Sequence, residues 1–172
     1  MQKDFSYLRQ VDDISTSQNF YKVDATPEQC LIIAEILQVP AVKSFTASIY
    51  TRRQNKSPLI DVWGNVAALI TRQSVISLEN FDKLYQTDFA LQFDVTLTES
   101  RVREMEEEGV ENIPDVVMNN RIDLYQLALE QIALILEDYP RQEGENFAFI
   151  SEFDAETTAQ ANPFKILEKL KK

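Results

Sequence analysis

Hydrophobic and polar positions change period along this chain, and the changes mark out its elements. Residues 1–19 carry no sustained period, and Asp12, Asp13, Ser15, Thr16, Ser17 and Asn19 crowd together, so this stretch is expected as a flexible arm before order begins at Phe20-Tyr21-Lys22-Val23. Thr26-Pro27-Glu28-Gln29 reads as a helix start, with Thr26 as cap, Pro27 at the first helical position and Gln29 closing a capping box. That helix is expected to reach about Gln38, with Pro40 as its stop and Cys30, Leu31, Ala34 and Leu37 on one face. A lone thiol among those residues reads as a small buried hydrophobe.

From Ala41 the period becomes two. Phe45, Ala47 and Ile49 alternate with Ser44, Thr46 and Ser48, then Asn55-Lys56-Ser57-Pro58 breaks the run. In a second strand Ile60, Val62, Val66, Ala68 and Ile70 alternate with Asp61, Asn65 and Thr71, which predicts a hairpin. Gly64 interrupts this strand directly after Trp63, where a bulge or a closely approaching neighbour is the usual reason. After a turn expected near Asn80 to Lys83, Phe89, Leu91, Phe93, Val95 and Leu97 alternate with Asp88, Ala90, Gln92, Asp94 and Thr96. One face of the resulting antiparallel sheet is apolar and needs a cover. Asp123 and Gln126 read as a cap and its box for a mostly apolar helix from Leu124, ended by Asp138-Tyr139-Pro140. Asn162-Pro163 starts a short amphipathic helix with Phe164, Leu167 and Leu170 on one side and Lys165, Lys169, Lys171 and Lys172 elsewhere. The expected fold class is therefore α+β: an antiparallel sheet, as a meander or a partly closed barrel, covered by two main helices. It is expected as a single domain over residues 20–156, followed by the amphipathic helix over 157–172.

Composition narrows the chemistry. The chain has no histidine, one cysteine and three glycines in 172 residues. That removes the common proton shuttle, a disulfide, a paired-thiol zinc or redox site and a glycine-rich phosphate loop. A serine or cysteine nucleophile would lack its imidazole base. Asp61 and Asp94, on the polar faces of neighbouring strands, are the one formal acid/base pair, but solvated strand-face aspartates are the commoner case. Oxygen-ligand metal binding in the run Glu104 to Glu111 is formally available but unspecific, since a charge run is usually a solvated face. No catalytic residue, cofactor or metal is expected. With no apolar run long enough to span a bilayer and no signal-peptide pattern at the start, a cytoplasmic, membrane-free protein is expected.

Charge supplies the candidate partner sites. The net charge is −11, and two stretches carry it: residues 99–115, with seven acidic residues and two arginines, and residues 137–156, with seven and one. The first, containing Glu104, Glu106, Glu107 and Glu108, is expected as a solvated acidic loop or short exposed helix that a basic protein could bind. The acidic balance repels DNA and RNA except where cations cluster, at Arg52, Arg53 and Lys56 on the first hairpin tip near Tyr50, and at Lys165 and Lys169 beside Phe164 in the tail.

Five segments occur in a telling order: Gly64-Asn65-Val66-Ala67-Ala68-Leu69; Gln73-Ser74-Val75-Ile76-Ser77-Leu78-Glu79; Arg121-Ile122-Asp123-Leu124 leading to Glu130 and Leu134; Asp138-Tyr139-Pro140-Arg141; and Asn162-Pro163-Phe164-Lys165-Ile166-Leu167. Together they resemble the YceD family of bacterial and chloroplast large ribosomal RNA subunit accumulation proteins, with Leu78-Glu79 and the Asn-Pro-Phe tail closest to its alphaproteobacterial branch. The resemblance covers roughly Phe20 to Lys172. It implies a non-enzymatic role in ribosome biogenesis, supporting 23S ribosomal RNA accumulation, with a basic ribosomal protein, a pre-ribosomal particle or 23S RNA as partner. Many members carry Cys-x-Arg-Cys-Leu-Glu where this chain has Ser74, Ile76 and Ser77, so a thiolate zinc site cannot form there. Val75, Ile76 and Leu78 are expected at the sheet edge, and Asn119-Asn120 stands where the family has a glycine before Ile-Asp-Leu.

Overall fold

The computed structural model describes residues 6–145. In chain order the elements are β1 (Leu8–Gln10), a 3-10 turn (Val11–Asp13), β2 (Asn19–Asp24), α1 (Pro27–Leu37), β3 (Ala41–Arg53), β4 (Leu59–Gln73), β5 (Asn80–Asp94), α2 (Glu99–Glu107), β6 (Asp115–Val116), β7 (Arg121–Asp123) and α3 (Leu124–Ile135). Strands β2, β3, β4 and β5 are neighbours in that order and antiparallel, and β6 adds to β5 in parallel through Phe93 and Asp94. The architecture is α+β on a mostly antiparallel meander, mixed only at β6, and the sheet does not close into a barrel. A separate two-stranded ladder joins β1 to β7. Residues up to Gln142 make one compact unit, and a second begins at Glu143. The helix expected over 157–172, with Phe164, Lys165 and Lys169, lies outside the described residues.

Period-two alternation becomes an inner sheet face. Phe45, Ala47 and Ile49 of β3, Ile60, Val62, Val66, Ala68 and Ile70 of β4, and Tyr85, Phe89 and Phe93 of β5 are all buried. They form one cluster with Cys30, Ile33 and Ala34 of α1 and Leu124, Leu127, Ala128, Leu129 and Ile132 of α3. Each large side chain removed from water here contributes roughly 1.5–3 kcal/mol. Gly64 falls in the core-facing phase without a bulge, paired to Ile49 on one side and Phe89 on the other. The irregularity in register lies instead between Val42 and Ser44, at Lys43.

Several sequence expectations need correction. The turn before the third long strand is at residues 74–79, not at Asn80 to Lys83, which already belong to β5. The buried Ser74 hydroxyl accepts the backbone N–H groups of Ile76 (3.0 Å) and Ser77 (3.3 Å), and Leu78 takes a left-handed backbone with φ 61°. One hydroxyl thus closes the hairpin where no glycine or proline signals it. Val75 and Leu78 therefore project from a turn and are exposed, rather than lining a sheet edge. Asp82, beyond the turn, ties three strands by accepting from Thr71 of β4 and Lys43 of β3.

In α1 the cap, the box and Pro27 are as expected, and Gln38 ends the helix in a left-handed conformation. Its inner face, however, is Cys30, Ile33 and Ala34, whereas Leu31 is 70% exposed. Burial, and after it the charge of Asp24, pushes the Cys30 thiol up, as suits a packed rather than a reactive cysteine. In α3 the Asp123 cap forms, but the Gln126 side chain donates to Glu130 instead of closing a box. Residues 1–19 are not a loose arm throughout: Leu8–Gln10 is strand, and Val11 and Ile14 are buried at 1% and 2% exposure. The apolar pair is drawn in because β7 supplies a partner for β1.

α3 stops at Ile135, three residues short of Asp138, because the chain beyond it is held by the sheet. Arg72 of β4 donates to the Glu137 carbonyl at 2.6 Å, Tyr85 of β5 donates to its carboxylate at 2.7 Å, and Lys83 pairs with the same carboxylate. Burial pushes the Glu137 carboxyl up, but the hydrogen bonds from Lys83 and Tyr85 outweigh it and hold the group below its ordinary value. A carboxyl whose pKa is lower folded than unfolded stabilises the fold above its unfolded pKa, and the gain is lost as pH falls through the folded value. Urea midpoints are therefore expected to fall between about pH 7 and about pH 3, across the usual carboxylate range. The fall should be smaller in Glu137→Gln, and an equal fall in the variant would refute this latch.

Candidate functional site

The solvent face of the sheet carries an aromatic row. Register sets Phe20 of β2 beside Tyr50 of β3, Tyr50 beside Trp63 of β4, and Trp63 beside Ala90 of β5. The Phe20 and Tyr50 ring centroids are 5.0 Å apart at 39°, and those of Tyr50 and Trp63 are 5.8 Å apart at 16°, an offset stack. Phe20 is 55% exposed. At Ala90 the row stops, and the small side chain leaves a slot of about 370 Å³ whose lining includes Trp63, Ala90, Arg52, Asp61 and Gln92.

The next row over is polar and hydrogen-bonded. Asp61 accepts from Gln54 at 2.9 Å, from Gln92 at 3.1 Å and from Arg52 at 3.2 Å. Burial pushes the Asp61 carboxyl up, but those three donors, with the Arg52 charge, hold it below its ordinary value. The ionised carboxylate in turn fixes Arg52, whose guanidinium carbon lies 5.7 Å from the Trp63 ring centroid, within cation–π range. Asp94 accepts instead from the backbone and hydroxyl of Thr96, so the two aspartates of the formal acid/base pair serve separate networks.

Arg52, Arg53 and Lys56 lie at the end of β3 and its turn, but strand alternation divides the arginines: Arg52 stands opposite Asp61 on the solvent face, Arg53 opposite the buried Ile60 on the other, and Lys56 has φ 57° in the turn. Arg53 donates its backbone N–H to Ser15. Among the described residues neither the Arg53 nor the Lys56 side chain has an ion-pair partner. The expected acidic stretch is α2, a helix with no buried side chain. Arg101 pairs with Glu104 at 2.8 Å and Glu108 at 3.7 Å, whereas Glu106 and Glu107 face solvent without an ion pair among the described residues. Both groups belong to one end of the sheet, since Leu59 pairs with Asp94 and Val95 donates to the Pro58 carbonyl.

A larger groove of about 1030 Å³ lies beside α3, with Phe93, Met118 and Leu134 among its apolar lining and Asp115 and Glu130 among its acids. Burial, and then the Glu130 charge, pushes the Asp115 carboxyl up. Among the described residues no three Cys, Asp or Glu side chains come together as a metal-binding group, and no helix is long and apolar enough to cross a membrane.

Sequence reasoning found Arg52 and its neighbours but missed Phe20, Trp63, Ala90 and Gln92 as parts of one surface. A signal was present: Tyr50 shares the phase of Ser44, Thr46 and Ser48, and Trp63 that of Asp61 and Asn65, so both rings stand on polar faces. Comparison with protein-family models, with curated protein sequences and with solved structures finds no match for this chain.

Proposed function

We propose that this protein is a non-enzymatic factor in assembly of the large ribosomal subunit, one that supports 23S ribosomal RNA accumulation by binding a basic ribosomal protein. Five ordered segments resembling the YceD family support the cellular role. The observation that carries the mechanism is α2, whose glutamates all stay at the surface while Glu106 and Glu107 have no ion pair among the described residues. A cationic ribosomal protein would complement that surface, and a helix held out from the core can change partner without disturbing the fold.

Depleting the protein in the cells that make it is expected to lower mature 23S RNA and raise its precursor; unchanged levels of both would end this reading. Pull-down at low salt is expected to recover a basic ribosomal protein, and Glu106→Lys with Glu107→Lys to lose it. A second reading, direct contact with RNA through Arg52, Arg53 and Lys56, is favoured by the absence of ion-pair partners for the last two among the described residues. Arg52, on the solvent face over Trp63, adjoins the aromatic row, and aromatic rings with nearby cations are the elements of a single-strand surface.

A further inference from the structure

We propose that the slot beside Ala90 receives an unpaired base of single-stranded RNA. The base stacks on Trp63 as the next member of the row Phe20, Tyr50, Trp63, while phosphates of its strand lie toward Arg52 and the turn that carries Lys56. This rests on the second reading above and adds to it a strand state, a ring and a position.

Three observations converge. First, three aromatic side chains on adjacent strands share the solvent face, and their spacing steps by about one strand at 5.0 and 5.8 Å. The step that β5 would make is occupied only by a methyl group. Second, the slot at that step holds about 370 Å³, toward the small end of ligand sites. A planar ring system fits such a space with its face on the indole, an interaction every base can make. Third, Arg52, Asp61 and Gln92 flank the slot and are fixed by the hydrogen bonds among them. Preorganised donors and acceptors then meet the edge of an inserted base without first being ordered. Within a protein of net charge −11, Arg52 at the slot and Lys56 in the turn that follows it are local cations, Lys56 without an ion-pair partner among the described residues, which favours a phosphate-bearing occupant over an aromatic side chain of another protein. A duplex keeps its bases paired and cannot offer one to the slot.

Trp63 is the chain's single tryptophan, so it reports directly on its own stacking. The full chain would be titrated at low salt with oligouridylate and oligoadenylate strands of about ten nucleotides, within the usual range of single-strand sites, and with a G·C-rich RNA duplex long enough to stay paired under the same conditions. Single strands are expected to quench the fluorescence and the duplex to leave it unchanged. Filling the slot by Ala90→Leu should abolish quenching and weaken binding about tenfold, the lower range of a lost base–aromatic stack. Ala90→Val serves the same purpose should leucine lower the melting temperature. Arg52→Glu with Lys56→Glu should weaken binding of any RNA and flatten its salt dependence. Binding that responds to these two charges but shows no quenching, and is equal in Ala90→Leu, would overturn the slot while leaving RNA contact standing. Absence of binding to either single strand would overturn both, as would quenching by the duplex equal to that by single strands overturn the claim of an unpaired base.

Discussion

Gly64→Ala is expected to lower stability by about 3 kcal/mol or more, the upper range of overpacking effects. In a chain of this length that corresponds to a fall of roughly 6–12 °C in melting temperature. A Cβ at position 64 would stand 2.1 Å from the Ser48 carbonyl oxygen and 3.0 Å from the Ile49 Cα. Both are backbone atoms of β3, so no side chain can turn aside to make room. β3 and β4 would have to separate in the middle of a pairing that runs from Ala41–Thr71 to Arg53–Ile60, where Ile49 and Val66 are buried. Thermal melting of the two proteins decides the matter, and a variant melting within about 2 °C of the parent, under 1 kcal/mol at this size, would show that the strands part easily. The aromatic row crosses β4 at Trp63, so the same substitution is expected to disturb the slot even where the fold survives.

Legibility in the sequence depends on how local each signal is. Alternation in β3 and β4 gave the buried positions because a strand's two faces are set by its own period, and Thr26 with Gln29 gave the α1 start because a cap is closed within four residues. Gly64 was legible as a departure, and of its two usual causes the close neighbour is the one present. Legibility failed where the partner is far away or the turn chemistry is unusual. Leu31 and Ile33 are equally apolar, and only the placement of β3 against α1 decides that Ile33 turns inward. The 74–79 turn hides because its work is done by a serine hydroxyl and a leucine at positive φ, while Asn80, a common turn residue, is the first residue of a strand.

The candidate surface divides along the same line. Cations at a hairpin tip are visible as a run of residues, but a ladder of rings on three strands exists only once the register is known. Phe20 lies thirty residues before Tyr50 and meets it because β2 and β3 flank the α1 crossover as neighbours. Ala90 carries meaning only as the absence of a ring beside Trp63. The acidic helix and the cationic tip, separate in sequence, share one end of the sheet because β4 and β5 pair in full from Leu59–Asp94 to Gln73–Asn80. A protein acceptor of positive charge and an RNA acceptor of unpaired bases could thus be met by adjoining surfaces.

Asp123→Ala is expected to be nearly as costly as the glycine substitution, and its effect should be confined to one region. Asp123 was legible as the α3 cap, but its carboxylate does more: one oxygen accepts from the backbone N–H of Tyr125 (3.0 Å), of Gln126 (3.2 Å) and of Tyr7 (2.9 Å). The Tyr7 carbonyl in turn accepts from the Leu124 N–H at 3.1 Å, and β1 continues the pairing with Leu8 opposite Asp123. Alanine removes the helix cap and orphans the donor that ties the amino-terminal strand to residues more than a hundred positions away, a loss of about 2–3 kcal/mol. Asparagine keeps an acceptor oxygen in place and should lose less than about 1 kcal/mol. Hydrogen exchange should quicken at Tyr7, Val11, Tyr125 and Gln126 in Asp123→Ala while protection within β3, β4 and β5 is kept, because the core strands do not depend on this carboxylate. Equal stability of the alanine and asparagine variants, or loss of protection spread evenly over the sheet, would show that Asp123 is not the pin that holds Val11 and Ile14 in the core.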